Sequence, residues 1–430
     1  MPARASQLKS GSGTSILNCM VVEQYSQSGQ QVAADIQIGV GSCHISERAK
    51  QLVAEVLASN RLSAGPKTLE FERLIAEAHG CFYGLMCNSG TSALHIALAA
   101  MKEHYGWQDG DEILVPAVTF VATANVVLYN GLKPVFVDVE RDYYCVDPSQ
   151  IEKHITPRTR AIMPVHVACL PCDMDPIVEI CERRGLRIAE DSAEAMFVNY
   201  RGRPVGSFSD VASFSTYVAH VISTGVGGLC TTNNPDLFLL LKSLMNHGRD
   251  SIYTRIDDDA DARGRQLFEI ADRRFSFVRP GYSFRATEME AALGIAQYEE
   301  RKDMAARRRE VASLMTRELE DLSHIFLLPR SRPGTDHGFM FYPMTILSPA
   351  VKRAELIQYL EERGIETRYV LPLINQPVYR QLFGNLDRDY PVAAYLNQNS
   401  FYVGSHPGMT DSNVHRIVEV LHAFCREQQI

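Results

Sequence analysis

The chain has no apolar run as long as the roughly 18 residues that a bilayer crossing takes, so no membrane-spanning segment is expected. It has no surplus of positive charge either. Its 43 Lys and Arg stand against 51 Asp and Glu, a net charge of -8, which offers no basic surface to nucleic acid or anionic lipid. A small anionic ligand needs only a local site and stays compatible. The stretch from Met1 to Gln31 is rich in Ser, Gly and Gln and has no apolar h-region ahead of Ile16. No secretory signal is read there, and residues 1–36 are expected to form a mobile extension. The ten cysteines lack the spacing of a disulfide scaffold, and several lie inside apolar runs such as Tyr83-Gly-Leu-Met-Cys87 and Gly228-Leu-Cys230. That pattern suits reduced thiols in a cytoplasmic protein.

What is present is ordinary globular composition, 46% hydrophobic and 22% charged over 430 residues, enough for one large or two medium domains. From about Gly39, short apolar segments alternate with helix-like ones, which predicts parallel strands joined by crossover helices. Strands are expected at 83–87, 112–116, 134–139, 160–165, 187–190, 212–215 and 228–232, with helices at 92–103, 122–129 and 175–184. The strands are too continuously apolar to be half-exposed, so the sheet should be covered on both faces. Thr287 to Arg309 reads as a long bridging helix, followed by a smaller α+β lobe. The expected domains are therefore 37–285, a large α/β unit, and 286–430, the bridging helix with the small lobe. Tyr253 to Arg274, with Asp257-Asp-Asp-Ala-Asp261, reads as a solvated insertion, because its carboxylates lack the spacing and Gly hinge of a calcium loop.

Three segments carry polar chemistry. Asn88-Ser-Gly-Thr-Ser-Ala-Leu94 follows a strand and opens a helix, so Gly90 and Thr91 are either phosphate ligands or parts of a simple N-cap. Ile188-Ala-Glu-Asp191-Ser-Ala-Glu194 ends a buried strand with acids, which either face a ligand crevice or cap the turn. Ser213-Phe-Ser215-Thr-Tyr-Val-Ala-His220 leads into Gly225-Val-Gly-Gly228. There Ser215 could bind an anion, and His220 is either structural or a proton carrier with an ordinary pKa near 6.5.

In this order the segments resemble the DegT/StrS sugar aminotransferases. Further matches are Arg61-Leu-Ser-Ala-Gly-Pro-Lys67, Pro116-Ala-Val-Thr-Phe120-Val-Ala-Thr, Pro164-Val-His166, Pro171-Cys-Asp-Met-Asp175, Asn246-His-Gly-Arg249, Gly281-Tyr-Ser-Phe-Arg285 and Gly364-Ile-Glu-Thr-Arg368. The resemblance implies a fold type I, aspartate-aminotransferase-like enzyme that uses pyridoxal 5'-phosphate (PLP) or pyridoxamine 5'-phosphate (PMP). It further implies that Gly90, Thr91 and Ser215 hold the cofactor phosphate, Phe120 stacks on its ring and Asp191 pairs with the ring nitrogen. Glu194 stands near the ring hydroxyl, where the family usually has Gln. Ser283 stands where an Asn of a partner subunit reaches the phosphate, which implies a homodimer with shared sites. His247, Arg249 and Arg285 either meet an anionic part of the substrate or form structural pairs.

Position 220 departs from the family, which has there the lysine that tethers the cofactor. Histidine cannot make that bond, so the cofactor is expected to be held non-covalently. One branch of the family, the keto-sugar 3-dehydratases, carries His at this position, and the expected reaction is C–O elimination from a keto sugar, expected to be nucleotide-linked, in deoxysugar or natural-product biosynthesis. No Cys lies between Cys230 and Cys425, where cluster-bearing members of that branch have theirs. The resemblance is therefore to the cluster-free colitose-pathway type, which takes L-glutamate as amino donor, and neither an iron-sulfur cluster nor another metal is expected. The alternatives are an aminotransferase-like enzyme with non-covalently held PMP, and a catalytically silent PLP-binding homologue.

Overall fold

Seven short strands alternate with helices through the first half of the chain: β1 (Tyr83–Cys87), β2 (Glu112–Pro116), β3 (Lys133–Val137), β4 (Thr159–Ile162), β5 (Arg187–Asp191), β8 (Val211–Ser215) and β9 (Gly228–Thr232), with a small hairpin of β6 (Asn199–Tyr200) and β7 (Arg203–Pro204) between. The computed structural model describes residues 38–250 and 259–430. The expected N-terminal extension and the first part of the charged insertion lie outside the described residues. The seven strands form one sheet in the order β1-β9-β8-β5-β4-β2-β3. Strands β3, β2, β4, β5 and β8 run parallel. Strand β9 runs antiparallel to both β8 and β1. The chain returns from β8 to β9 through the turn 216–227 without a crossover helix, and such a direct return reverses the strand. Strands β2, β8 and β9 are buried along their whole length, as a sheet covered on both faces requires.

The bridging helix is longer than the sequence pattern suggested. It spans Glu288–Glu318, 31 residues, about 46 Å at 1.5 Å per residue. Thr287 and Glu290 form a capping box at its start. Its first carboxylate also caps a second helix: Glu288 accepts the N–H groups of Gly65 (2.6 Å), Thr68 (2.8 Å) and Lys67 (3.0 Å). The helix Pro66–Ala78 has no side-chain cap of its own, so Glu288 satisfies amides that would otherwise be buried without partners. Gly294 permits close contact between the same two helices, since a Cβ there would lie 2.5 Å from Phe71 Cζ.

Beyond the bridge, β10 (Phe326–Leu327), β11 (Phe341–Ile346), β12 (Arg368–Tyr369) and β13 (Ser400–Gly404) form an antiparallel sheet in the order β10-β11-β13-β12. It has its own core, including Met315, Tyr342, Leu356, Ile417 and Phe424. Within the charged insertion, Asp259 pairs with Arg274 and a helix forms at Gly264–Arg273, whose Arg273 pairs with Asp250 just ahead of the insertion. No helix among the described residues is long and apolar enough to cross a membrane. No group of three or more His, Cys, Asp or Glu among them could hold a metal ion.

Two buried histidines give the fold a pH limit. His79 donates from Nδ1 to the Val205 carbonyl at 2.7 Å and packs on Phe214, while His337 stacks on Phe339 with ring centroids 3.7 Å apart. Burial pushes their pKa values down to about 4 and about 3. The unfolded chain binds protons at these rings near pH 6.5 and the folded chain does not. Their contribution is therefore complete above pH 6.5 and lost as pH falls toward 4, by on the order of 3 kcal/mol per ring. Urea unfolding at pH 7.5, 5.5 and 4.5 should show a steadily falling midpoint, and the His79→Gln variant, if it folds, should show a shallower fall.

Candidate active site

The carboxyl ends of β5 and β8 meet the start of the helix Gly90–Tyr105 around a cavity of about 430 Å³. Its lining brings together Gly90, Thr91, Phe120, Asp191, Glu194, Ser215 and His220. Seven residues read separately from the sequence thus share one site. Met340, Leu371 and Tyr402, which follow the bridging helix in the chain, complete the wall. This is where an open α/β sheet places its ligand crevice.

Each wall has a local cause. Ser89 caps the helix by accepting the Ser92 N–H at 3.0 Å, which leaves the first-turn amides of Gly90 and Thr91 without intrahelical partners. Gly90 has to be glycine, because a Cβ there would stand 2.7 Å from Ser215 Cβ. Those two residues form a floor on which backbone N–H groups and a hydroxyl converge. Replacing Gly90 with Ala should weaken PLP binding at least tenfold, read by equilibrium dialysis, and should also lower the unfolding midpoint, read by a thermal melt, because the new Cβ has to push Ser215 aside.

Asp191 ends β5, buried at 3% exposure. Thr123 donates its hydroxyl to Oδ2 at 2.7 Å, and the Ala193 N–H donates to Oδ1 at 3.1 Å. Thr119 and Thr123 link their hydroxyls at 2.7 Å behind it. Burial raises the carboxyl's pKa, and the Thr123 and Ala193 bonds only partly counter this. Neither of its bonded partners is a cation, so a cationic ring nitrogen would supply the charge that this carboxylate otherwise lacks. Thr119 and Thr123 were not singled out from sequence. The available signal was two hydroxyls spaced i, i+4 at the start of the helix Val121–Tyr129.

His220 is half-buried at the cavity wall, in the turn after β8. Its Nδ1 is shielded from solvent and has no hydrogen-bond partner among the described residues. Burial pushes its pKa down to about 4, with the nearby Arg308 charge acting in the same direction. The ring is therefore neutral at pH 7, which revises the ordinary value taken from the sequence. Arg308, buried in the bridging helix, donates to the His220 carbonyl at 3.2 Å and to the carbonyls of Met340 (2.8 Å) and Ser405 (2.9 Å). It ties the His220 turn to the small sheet. Within the run Arg307-Arg-Arg309 no sequence signal marked which arginine turns inward. Val226, in the Gly225-Val-Gly-Gly turn, is half exposed at the rim.

Ser283, His247, Arg249 and Arg285 lie outside this cavity. Arg285 donates to Asn246 Oδ1 (2.7 Å) and Ser283 Oγ (2.8 Å), and its guanidinium approaches His247 Nε2 at 3.3 Å. Arg249 donates to the Arg274 carbonyl at 3.0 Å and faces the rings of Phe275 and Phe277. Asn246, Arg249 and Arg285 border a second cavity of about 660 Å³, on the outer side of β1. In one chain Ser283, His247 and Arg285 thus form one polar group, adjoining the phosphate-type turn through the Phe284 carbonyl, which accepts the Asn88 N–H at 2.8 Å.

A mostly parallel seven-stranded sheet, a long bridging helix and a small antiparallel lobe closing over the strand ends define the fold type I class of PLP-dependent transferases. The profile of the DegT/DnrJ/EryC1/StrS aminotransferase family matches residues 43–422. The chain belongs to that family. It is 33% identical over 388 residues to GDP-perosamine synthase of Caulobacter vibrioides, covering 90% of this chain and 97% of that protein. It is 30% identical over 406 residues to dTDP-4-dehydro-2,6-dideoxy-D-glucose 3-dehydratase of Saccharopolyspora spinosa, covering 91% and 87%. Among solved structures it is similar to E. coli GDP-4-keto-6-deoxy-D-mannose-3-dehydratase with bound hydrated PLP, with a TM-score of 0.82, 25% identity, and coverage of 90% of this chain and 99% of that one.

Proposed function

We propose that the protein is a PLP/PMP-dependent dehydratase that removes a hydroxyl from a keto sugar, most simply a nucleotide-linked 4-keto sugar, with His220 as its acid and base. The observation that carries the reading is His220 itself: an imidazole, neutral at pH 7, on the cavity wall where the resemblance expects a lysine.

The residues fit the cofactor. The amides of Gly90 and Thr91 with the Ser215 hydroxyl would hold its phosphate. The exposed Phe120 ring would stack on its pyridine, and Asp191 would meet its ring nitrogen. When bound, PMP supplies an amine that joins the sugar carbonyl and a ring that accepts electrons from the adjacent carbon.

The chain's own part is acid–base chemistry. His220, neutral and lining the cavity, would take the C4′ proton of the bound cofactor. As imidazolium it would then pass a proton to the departing C3 hydroxyl, which would leave as water. Met340, Leu371 and Tyr402 limit the access of bulk water. Thr123 keeps Asp191 in register through its hydroxyl. L-Glutamate would restore PMP. A dimer in which Ser283 of the partner subunit reaches the phosphate completes the proposed site.

The acid limb of the turnover rate should fall through about pH 4 and not through 6.5, because that is where His220 gains a proton. A rate profile between pH 4 and 7, taken on enzyme shown to be folded at each pH, checks this, and an acid limb near 6.5 contradicts it. The second reading is an aminotransferase with non-covalently held PMP. It has its own support, since GDP-perosamine synthase is slightly more similar, 33% against 30% for the 3-dehydratase of Saccharopolyspora spinosa. The product separates the two readings.

A further inference from the structure

Glu190 and Glu194 lie four residues apart in one segment and have opposite surroundings. Glu190 accepts four hydrogen bonds, from His166 Nε2 (3.1 Å), the Gly206 N–H (2.8 Å), the Phe208 N–H (3.1 Å) and the Ser209 hydroxyl (2.7 Å). Burial opposes its charge, yet these bonds, His166 foremost, hold its carboxyl below the ordinary value. Glu194 is also buried but accepts only the Ala168 N–H, at 2.8 Å on Oε2. It forms no ion pair among the described residues. The titratable groups facing it are Asp191 on its own segment, Cys169 of the turn at Val167–Cys169, Tyr402 of β13, and His220 elsewhere on the cavity lining. None of them is a cation at neutral pH, and the Asp191 carboxylate acts to raise the Glu194 pKa.

We propose that Glu194 works in this cavity as a neutral carboxylic acid, donating its proton in a hydrogen bond to the ring oxygen of the bound cofactor. The inference rests on the cofactor reading above and adds the protonation state and the direction of the bond. A carboxylate at this position would put a second negative charge beside Asp191 and a pure acceptor opposite the ring oxygen. A carboxylic acid presents a donor, as the glutamine expected from the resemblance would. Burial, with the Asp191 charge adding to it, pushes the Glu194 pKa up to about 8, which keeps the donor in place through neutral pH. The same cavity would thus hold one ionised acid, Asp191, for the ring nitrogen and one neutral acid, Glu194, for the ring oxygen.

The test is the affinity for PLP, titrated by absorbance at pH 7, 8 and 9 for the wild type and Glu194→Gln. With one proton lost near pH 8, the wild type should weaken by about tenfold between pH 7 and 9 beyond whatever the variant shows, and the variant should keep only the change due to the cofactor's own groups. Parallel pH dependences in the two proteins overturn the proposal. Infrared difference spectra of the protein without cofactor, between pH 7 and 9.5, give a second readout that does not depend on the variant folding. A carboxylic-acid C=O band present at pH 7 and lost at 9.5 is expected, and its absence overturns the proposal. If PLP binds neither protein at any pH while the band is present, the cofactor reading fails, and the donor role fails with it. A wild type that binds PLP without the extra pH dependence sinks the Glu194 inference alone.

Discussion

Asn in place of His220 leaves a chain that folds and takes up PLP but turns over keto sugar 10² to 10⁴ times more slowly, the usual range for loss of a general acid–base group. Asn keeps roughly the volume of the imidazole's inner half and its hydrogen-bonding character, but it cannot carry a proton. The effect should therefore appear in kcat, with cofactor affinity changed little. Affinity can be read by absorbance, since the phosphate floor at Gly90 and Ser215 and the Asp191 carboxylate are untouched. If the reaction did not pass through this ring, the variant would keep its rate. Lys at the same position restores a covalent tether and should shift the protein toward transamination, read as 2-oxoglutarate formed from L-glutamate. Residue 220 borders the 430 Å³ cavity, and the turn is anchored by its backbone, which the substitution keeps: its carbonyl accepts from Arg308 at 3.2 Å and its N–H donates to the Tyr217 carbonyl at 2.9 Å.

The second large effect is at Asp191. Asn there keeps the shape and can still accept the Thr123 hydroxyl, but it removes the negative charge. A buried cation deprived of its counter-charge costs about 3 to 5 kcal/mol, so turnover is expected to fall by two to four decades and PLP to bind more weakly. Because burial already raises the Asp191 pKa in the cofactor-free cavity, the free protein should lose no stability on this change and should gain a little. A chemical-denaturation midpoint at pH 7 equal to or above that of the wild type, with a collapsed turnover rate, separates a functional carboxylate from a structural one. A lowered midpoint with intact turnover would assign Asp191 to the fold.

Much of this site was readable from the chain, for a physical reason. Strand ends followed by small or acidic residues, such as Cys87 before Asn88-Ser-Gly and Ile188-Ala-Glu before Asp191, mark where apolar burial stops and polar groups begin. The strands Tyr83–Cys87, Glu112–Pro116 and Gly228–Thr232 carry the expected boundaries, because continuous apolar runs leave little choice of register. The reversed direction of β9 was not readable, since an apolar run has no polarity and only the absence of a helix in 216–227 distinguishes the two cases. The helices Glu47–Ala58, Pro235–Met245 and Pro391–Asn399 were not read. Glu47–Ala58 buries Ala49, Leu52 and Val56, spaced i, i+3, i+7, so a helical period was present in its sequence; the less patterned Pro391–Asn399 becomes helical through packing against its neighbours. Position 220 was legible as chemistry, but its pKa was not, because desolvation depends on which residues close over the ring. Likewise, Glu194 and Glu190 look alike as letters and differ only in the donors that the fold turns toward each.

The most direct test of the central claim is to incubate the purified protein with PMP and a nucleotide-linked 4-keto-6-deoxyhexose and determine the mass of the sugar product. Elimination through His220 predicts a keto sugar one oxygen atom lighter than the substrate, with ammonia released and its formation slowed at least about a hundredfold in the His220→Asn variant. A product in which the carbonyl oxygen has been exchanged for an amino group would contradict the dehydratase reading.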